Sequence, residues 1–174
     1  MVIILGDEPA SAGQFRLMLV EGIRGGIVAP RIRRVVEITG DEQGASVVDA
    51  RDVGAGNSDQ NGYETKEGRL SADQTQTLLR RVRNDISNLP RLEQHQFTDD
   101  LYEQDTRLEF TDGDQFWVNG APEGCAYQPP NEQQEQIFTS AVKQTFADLA
   151  GYVKQIGEQH ANEPTFKAAL LGLA

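Results

Sequence analysis

The chain has 174 residues, and its 27 acidic side chains outnumber its 16 basic ones, which gives a formal net charge of −11 at pH 7 with histidine neutral. This length fits a single domain, residues 1–174, because a chain of this size buries most of its apolar surface around one core. The 38% of hydrophobic residues exclude a disordered chain, and no apolar stretch approaches the roughly 20 residues that a membrane span needs. The opening residues 1–5 lack the basic lead of a signal peptide, so we expect a cytoplasmic protein that binds neither membranes nor, given its negative charge, nucleic acid.

Cysteine and histidine are too few for most metal sites. The lone Cys125 excludes a disulfide framework and a cysteine-based zinc site, and two histidines supply little imidazole, so we expect no cofactor and no metal centre. One alternative stays open. Asn57, Asp59 and Asn61 imitate the first half of a calcium-binding loop, but Gly68 stands where such a loop needs its bidentate glutamate.

The first part of the chain is typical of β-structure. Residues 14–20 alternate in the manner of a strand with a buried face, and the β-branched runs 35–38 and 46–50 flank a turn-forming segment and predict a hairpin. Residues 2–5 are either a further strand or an arm. Residues 54–68 contain one aromatic residue and no large aliphatic residue, so they predict a flexible loop.

A helix follows this polar segment. Ser71 is the expected N-cap, Gln74 completes a capping box, and Pro90 stops the helix. The apolar residues that predict its buried face, spaced three or four apart, are Leu78, Leu79, Val82, Ile86 and Leu89.

The second half of the chain predicts a hairpin and one long helix. Residues 107–110 and 115–118 flank an Asp-Gly pair, which is the strongest short hairpin signal, and residues 120–130 predict a loop. An apolar stripe then predicts a helix capped by Asn131 and ended by Gly157. Residues 158–174 form a C-terminal extension in which a short helix begins near Pro164.

These elements predict an α+β fold. We expect an antiparallel sheet of about four to six strands with the two main helices packed on one face, because their apolar stripes need a common surface to bury. No nucleophile with its base, metal cluster or phosphate-binding loop is evident, so we expect that the protein is not an enzyme and has no catalytic residues.

A group of arginines, which we call the basic island, stands out in this acidic chain: Arg16, Arg24, Arg31, Arg33 and Arg34. Guanidinium groups pair with carboxylates in two-point fashion, so the island either contacts an acidic partner or balances carboxylates of the same chain. The second interpretation is favoured, because the overall negative charge is large. Arg24, Arg31 and Arg33 are the arginines that we select as candidate partner-binding residues.

Trp117 is the fourth candidate. It alternates with Phe116 and Val118 on the predicted hairpin, so one of these side chains faces the core and its neighbour faces outward. Burial in the core is the default for tryptophan, whereas an exposed indole would anchor a partner protein.

Several features within residues 14–156 follow one another in a recognisable order. They are residues 15–20 followed by Arg24-Gly25-Gly26, residues 68–71 before a helix with Leu78-Leu79, Leu89-Pro90 at its end, the hairpin of residues 108–118 and the closing helix of residues 138–156. This order resembles that of the emfourin-like proteins, small inhibitors of thermolysin-type metalloproteases, and of related bacterial domains of the same layout. The resemblance implies a non-catalytic protein-binding module whose partner is another protein, a protease among the candidates; it assigns no inhibitory residue.

Two functional classes therefore remain open. A binding module or inhibitor would present a loop, residues 54–68 or 120–130, from a rigid sheet. A structural or regulatory subunit of a larger complex would instead bury an apolar face against another chain, and the residues that could form this face are Trp117, Phe166, Leu170 and Leu173. The sequence does not determine the oligomeric state.

Overall fold

A computed structural model describes residues 13–22, 32–54, 62–93, 100–120 and 131–164. These residues form an α+β fold with one antiparallel seven-stranded sheet, in the order β6-β5-β1-β2-β3-β4-β7, and three helices. In chain order the elements are β1 (Phe15–Glu21), β2 (Arg34–Asp41), β3 (Gly44–Asp52), β4 (Tyr63–Ser71), α1 (Ala72–Ser87), β5 (Thr106–Asp112), β6 (Gln115–Val118), α2 (Glu132–Ile137), α3 (Ser140–His160) and β7 (Glu163–Pro164).

The predicted α+β class, strand β1 and both hairpins are confirmed. Leu17 of β1 pairs with Ile38 of β2, and β2 continues through a tight turn into β3. The β5–β6 hairpin closes with Asp112 opposite Gln115, and Gly113 takes a positive φ of 57° in the turn, a conformation that glycine adopts without strain. The predicted number of four to six strands is wrong, because β4 and β7 extend the sheet to seven.

Strand β4 corrects the predicted loop over residues 54–68. Residues 63–68 belong to β4, which pairs with β3 along its whole length, from Tyr63 opposite Asp52 to Ser71 opposite Gly44. The strand forms because backbone hydrogen bonds to β3 need no apolar side chains, so its polar composition conceals it. Residues 55–61, including most of the calcium-like motif, lie outside the described residues.

Helix α1 begins as predicted but ends earlier than predicted: Leu89, expected on its buried face, lies beyond the helix and is still buried. The Ser71 hydroxyl accepts a hydrogen bond from the Gln74 backbone, and the Gln74 side chain accepts one from the Ser71 backbone, so the capping box is complete. The helix ends at Ser87, and Asn88 is its C-cap, two residues before Pro90.

The long helix predicted from Asn131 to Gly157 is two helices. Asn131 caps α2, and the chain leaves helical geometry at Phe138, whose side chain is buried; Thr139 then accepts a hydrogen bond from the Val142 backbone and caps α3. Gly157 does not end α3, which continues to His160. Instead, the missing side chain lets the helix approach β2 and β3 closely. A Cβ atom on Gly157 would lie 3.2 Å from Val36 and from Asp49.

The predicted start of a short helix near Pro164 is also wrong, because this segment is a strand. Glu163 and Pro164 form β7, which pairs with Glu67 and Lys66 of β4 at the sheet edge. Proline is tolerated there because an edge strand needs fewer backbone donors. Residues 165–174, the predicted strand or arm at residues 2–5 and most of the predicted loop at 120–130 lie outside the described residues.

The main hydrophobic core joins both long helices to alternate residues of the sheet. Leu78 and Val82 of α1 and Leu149 and Val153 of α3 belong to the same buried cluster as Leu17 and its neighbours on β1, β2 and β3. Met18, Val20, Val35 and Ala50 form a second, smaller buried cluster. Helix α1 packs against β3 and β4, and only its end approaches the β5–β6 hairpin. The last turns of α3 lie over β2 and β3.

Candidate functional site

The structure describes two of the four candidate partner-binding residues. Arg24 and Arg31 lie outside the described residues. The Arg33 side chain is 65% exposed, and its Nη2 atom lies 3.4 Å from an oxygen of Asp105, just before β5. Trp117 is buried and pairs with Phe110 in the middle of β5. Phe110 lies about 15 Å along the chain from Asp105, the residue that Arg33 contacts. The structure therefore does not bring these two candidates together.

The described arginines of the basic island each contact a carboxylate of the same chain. Arg16 Nε lies 2.7 Å from Glu37 Oε1, and Arg34 binds both oxygens of Asp49 at 2.9 Å. Together with the Arg33 contact, these pairs agree with the interpretation in which the island balances internal charge.

Arg34 is the centre of a buried ionic cluster between α3 and the sheet. Besides its bidentate bond to Asp49, it donates to Glu158 at 3.1 Å and to the Lys154 backbone carbonyl at 2.8 Å. Arg51 donates to the same Asp49 and Glu158 carboxylates, and the hydrogen bond to Asp49 raises the pKa of Arg51. We call Arg34, Asp49, Arg51 and Glu158 the Arg34 cluster. It holds α3 on the sheet.

A polar cavity of about 290 Å³ borders the Arg34 cluster, and its charged groups are paired. Lys66 Nζ lies 3.3 Å from Glu64 at the cavity wall, and Arg51 is bound as described above. Because each cation here already contacts a carboxylate, the cavity offers little attraction to an anionic ligand. Its lining consists of Asp49, Arg51, Glu64, Lys66, Glu158, Ala161 and Asn162.

A second cavity of about 290 Å³ lies between the end of α1 and the β5–β6 hairpin, and we call it the hairpin groove. Three consecutive residues of β6 line it, although neighbouring side chains of a strand point to opposite faces. The groove therefore runs around the sheet edge rather than over one face. Its lining consists of Arg83, Ile86, Ser87, Leu89, Arg91, Phe110, Gln115, Phe116 and Trp117.

The local sequence explains why a groove forms there. Helix α1 must end before Pro90, and buried Leu89 turns the chain back toward the core. The tight Asp-Gly hairpin places β6 beside this end of the helix. Arg83 Nε lies 2.7 Å from Asp112 Oδ2, so an ion pair spans the gap between helix and hairpin. This hydrogen bond raises the pKa of Arg83.

The floor of the hairpin groove is aromatic and its outer wall is exposed. Trp117 is 4% exposed, and its ring centroid lies 6.4 Å from that of Phe146 in the core. Its Nε1 atom has no hydrogen-bond partner among the described residues. Phe116, in contrast, is 50% exposed. The groove thus combines a rigid buried ring with an accessible one.

The charge of the hairpin groove differs from that of two other cavities in the described part of the chain. Two arginines and no carboxylate are among the described residues that line it. The polar cavity beside the Arg34 cluster includes three carboxylates, and a third cavity of about 390 Å³ near the β2–β3 turn includes Asp41, Glu42 and Asp112. In a chain with a net charge of −11, the hairpin groove is a locally positive and apolar region.

Arg91 carries most of this unbalanced charge. It is exposed, and it makes no hydrogen bond or ion pair with any residue in the described ranges. Arg83, by comparison, is partly neutralised by Asp112. The guanidinium of Arg91 is therefore available to a carboxylate from another molecule.

Sequence reasoning identified one residue of this groove, Trp117, and missed the others. The sequence analysis selects neither Arg83 nor Arg91, and it considers Phe116 only as the neighbour of Trp117. The available signal was the aromatic pair Phe116-Trp117 directly after a hairpin turn, since one of two successive strand residues must face outward.

The chemistry that the described lining of the hairpin groove offers is apolar contact and hydrogen bonding by guanidinium groups. Among the described residues, no three histidine, cysteine, aspartate or glutamate side chains could hold a metal ion. The Ser87 hydroxyl in the groove donates to the Asn84 backbone carbonyl, and the part of the lining that the structure describes contains no histidine or carboxylate. No helix in the described part of the chain has the length and apolar character to cross a membrane.

Comparisons of this chain with models of protein families, with curated proteins and with solved structures found no significant match.

Proposed function

We propose that this chain is a non-catalytic protein-binding module and that the hairpin groove is its binding surface. The observation that carries the proposal is the exposed Phe116 beside a buried Trp117, in a groove whose described lining includes two arginines and no carboxylate. Aromatic and arginine side chains at the centre of a concave surface are the usual sources of binding energy between proteins.

The position of the groove on rigid elements supports the proposal. Its walls are a capped helix and a tight hairpin, both anchored in the main core through residues such as Leu89 and Phe110. A preformed groove of this kind loses little conformational entropy when a partner binds. In this proposal the binding surface is formed by α1 and the β5–β6 hairpin, rather than by either loop that the sequence analysis selected.

The narrower form of the proposal is inhibition of a thermolysin-type metalloprotease. It rests on the resemblance to the emfourin-like proteins. In this form, the groove binds a surface segment of the protease. The alternative is a structural or regulatory subunit, in which the same groove is buried permanently in a larger complex.

The test compares two exposed apolar residues in affinity capture. The wild-type chain, the Phe116→Ser variant and the Ile137→Ser variant are immobilised and exposed to a lysate of the organism that encodes the chain. Ile137 is a matched control, because it is 46% exposed and lies on α2, outside the groove lining. We expect a partner that the wild type and Ile137→Ser retain and that Phe116→Ser loses. Equal capture by all three proteins would contradict the proposal.

Two further measurements separate the narrower forms. Light scattering after size exclusion, with and without a thermolysin-type protease, reports complex formation, and a peptide-cleavage assay reports inhibition. If the two proteins elute separately and protease activity is unchanged at a high excess of this chain, the inhibitor form is rejected. Self-association that Phe116→Ser abolishes favours the subunit form.

A further inference from the structure

We infer that the hairpin groove recognises an acidic segment of a partner protein, in which a large apolar side chain stands next to a carboxylate. This inference rests on the proposed function and adds the chemistry of the partner. It is carried by the contrast between an apolar floor and an unpaired arginine at the same site.

The size of the groove limits what the floor accepts. Its volume of about 290 Å³ is at the lower end of the range for small-molecule pockets, so it suits one or two side chains rather than a whole cofactor. Phe116, which is 50% exposed, and the partly exposed Ile86 supply most of the accessible apolar area, and the edges of the buried Trp117 and Phe110 rings form the floor. An aliphatic or aromatic side chain of the partner would pack against these rings.

The positive charge at the rim of the hairpin groove favours a carboxylate beside the apolar side chain of the partner. Arg91 is unpaired among the described residues, and Arg83 adds a second guanidinium to the lining. Arg80 is also exposed and lies one turn before Arg83 on the same side of α1, so it extends the positive rim. A carboxylate adjacent to the apolar side chain would form a charge-assisted, two-point hydrogen bond with Arg91.

The negative charge of the rest of the chain sharpens this selection. With a net charge of −11, most of the surface repels an acidic segment, so such a segment is tolerated only where the arginines face it. Mispositioned binding is thereby disfavoured, which is a means of specificity. The same repulsion disfavours a second copy of this acidic chain as the occupant.

The experiment uses a display library of random seven-residue peptides, selected on the full wild-type chain. We expect selected peptides to contain Asp or Glu beside Leu, Phe, Trp or Met. One selected peptide is then labelled with fluorescein, and its affinity is measured by polarisation for three proteins: the wild type, Arg91→Glu and Arg69→Glu. Arg69 is a matched control because it is exposed on β4, has no ion pair among the described residues and changes the net charge equally.

Arg91→Glu should weaken binding by about tenfold or more, and Arg69→Glu should change it by less than about twofold. Added salt should weaken binding to the wild type and have a smaller effect on Arg91→Glu. Failure to select peptides, selection without acidic bias, or equal effects of both reversals would overturn the inference.

The outcome is distinguishable from failure of the proposed function. If capture of a protein partner depends on Phe116 but not on Arg91, the binding groove stands and the acidic partner is rejected. If light scattering shows dimers that Phe116→Ser dissociates, the occupant is a second copy and the inference is wrong.

Discussion

Arg34 and Arg91 show how the same side chain has opposite roles in two regions of this protein. Arg34 is 8% exposed and binds Asp49, Glu158 and a backbone carbonyl of α3, so its hydrogen-bonding capacity is used within the chain. Arg91 is exposed beside an aromatic groove and is unpaired within the described residues. The difference teaches that a cluster of cations indicates a binding surface only where carboxylates of the same chain leave it unsatisfied.

The largest expected effect is in the Arg34 cluster. Asp49→Ala would leave Arg34 buried without its bidentate partner, and removal of one member of a buried pair costs about 3–5 kcal/mol. The free energy of unfolding, measured in urea, should fall by this amount. The control is Glu64→Ala, whose exposed pair with Lys66 contributes about 0–1 kcal/mol. Equal losses for both variants would show that the Arg34 cluster is no more important than a surface pair.

The second prediction concerns the close contact that seats α3 beside that cluster. A Cβ atom on Gly68 of β4 would lie 1.6 Å from the His160 carbonyl oxygen, so Gly68→Ala must displace the end of α3. We expect a loss of about 1–3 kcal/mol in the free energy of unfolding. The control Gly151→Ala lies in α3 with open space around the added atom and should stabilise the protein by about 0.5–1 kcal/mol. The same sign for both substitutions would contradict the predicted contact.

The third prediction concerns Tyr102, which contacts Phe146, the core ring behind Trp117 in the groove floor. Burial raises the pKa of Tyr102, and its hydroxyl has no partner among the described residues. Because the unfolded chain releases this proton at a lower pH than the folded chain, the free energy of unfolding is unaffected below about pH 10, the ordinary pKa of tyrosine. It falls as the pH rises further, because ionisation then favours the unfolded chain.

Tyr102→Phe removes both the buried unpaired hydroxyl and this titration. Urea unfolding at pH 7 should show a variant as stable as the wild type or up to about 1 kcal/mol more stable. Between pH 9 and 11, on the order of the tyrosine titration range, the wild type should lose more stability than the variant. A variant much less stable at pH 7 would show that the hydroxyl has a hydrogen-bond partner after all.

The smallest expected change in stability is at Arg91, in the hairpin groove. Arg91→Ala removes a side chain that has no partner among the described residues, so the free energy of unfolding should change by less than about 0.5 kcal/mol. Thermal and urea unfolding measure this change. Capture of the partner should weaken even though the stability is nearly unchanged. Arg34→Ala is the contrasting variant and should be strongly destabilising. A large loss of stability for Arg91→Ala would assign Arg91 a structural role.

The sequence by itself determined those elements whose signals are local. Alternation over seven residues specified β1, the Asp-Gly pair specified the β5–β6 turn, and Ser71 with Gln74 specified the start of α1. Each of these signals depends on residues within about one turn or one hairpin of each other, so backbone geometry alone relates them.

Tertiary structure decided the features that depend on distant partners. Strand β4 exists because β3 lies beside it, and the long helix divides because Phe138 is drawn into the core before Thr139 caps α3. Arg34 is structural because Glu158, more than a hundred residues later in the chain, folds over it. Trp117 was predictable as a core residue, but its groove was not, since two of its walls come from helix and hairpin segments that meet only after folding. Long-range packing, which no local pattern encodes, determines which side chains remain unsatisfied and therefore which surface can bind.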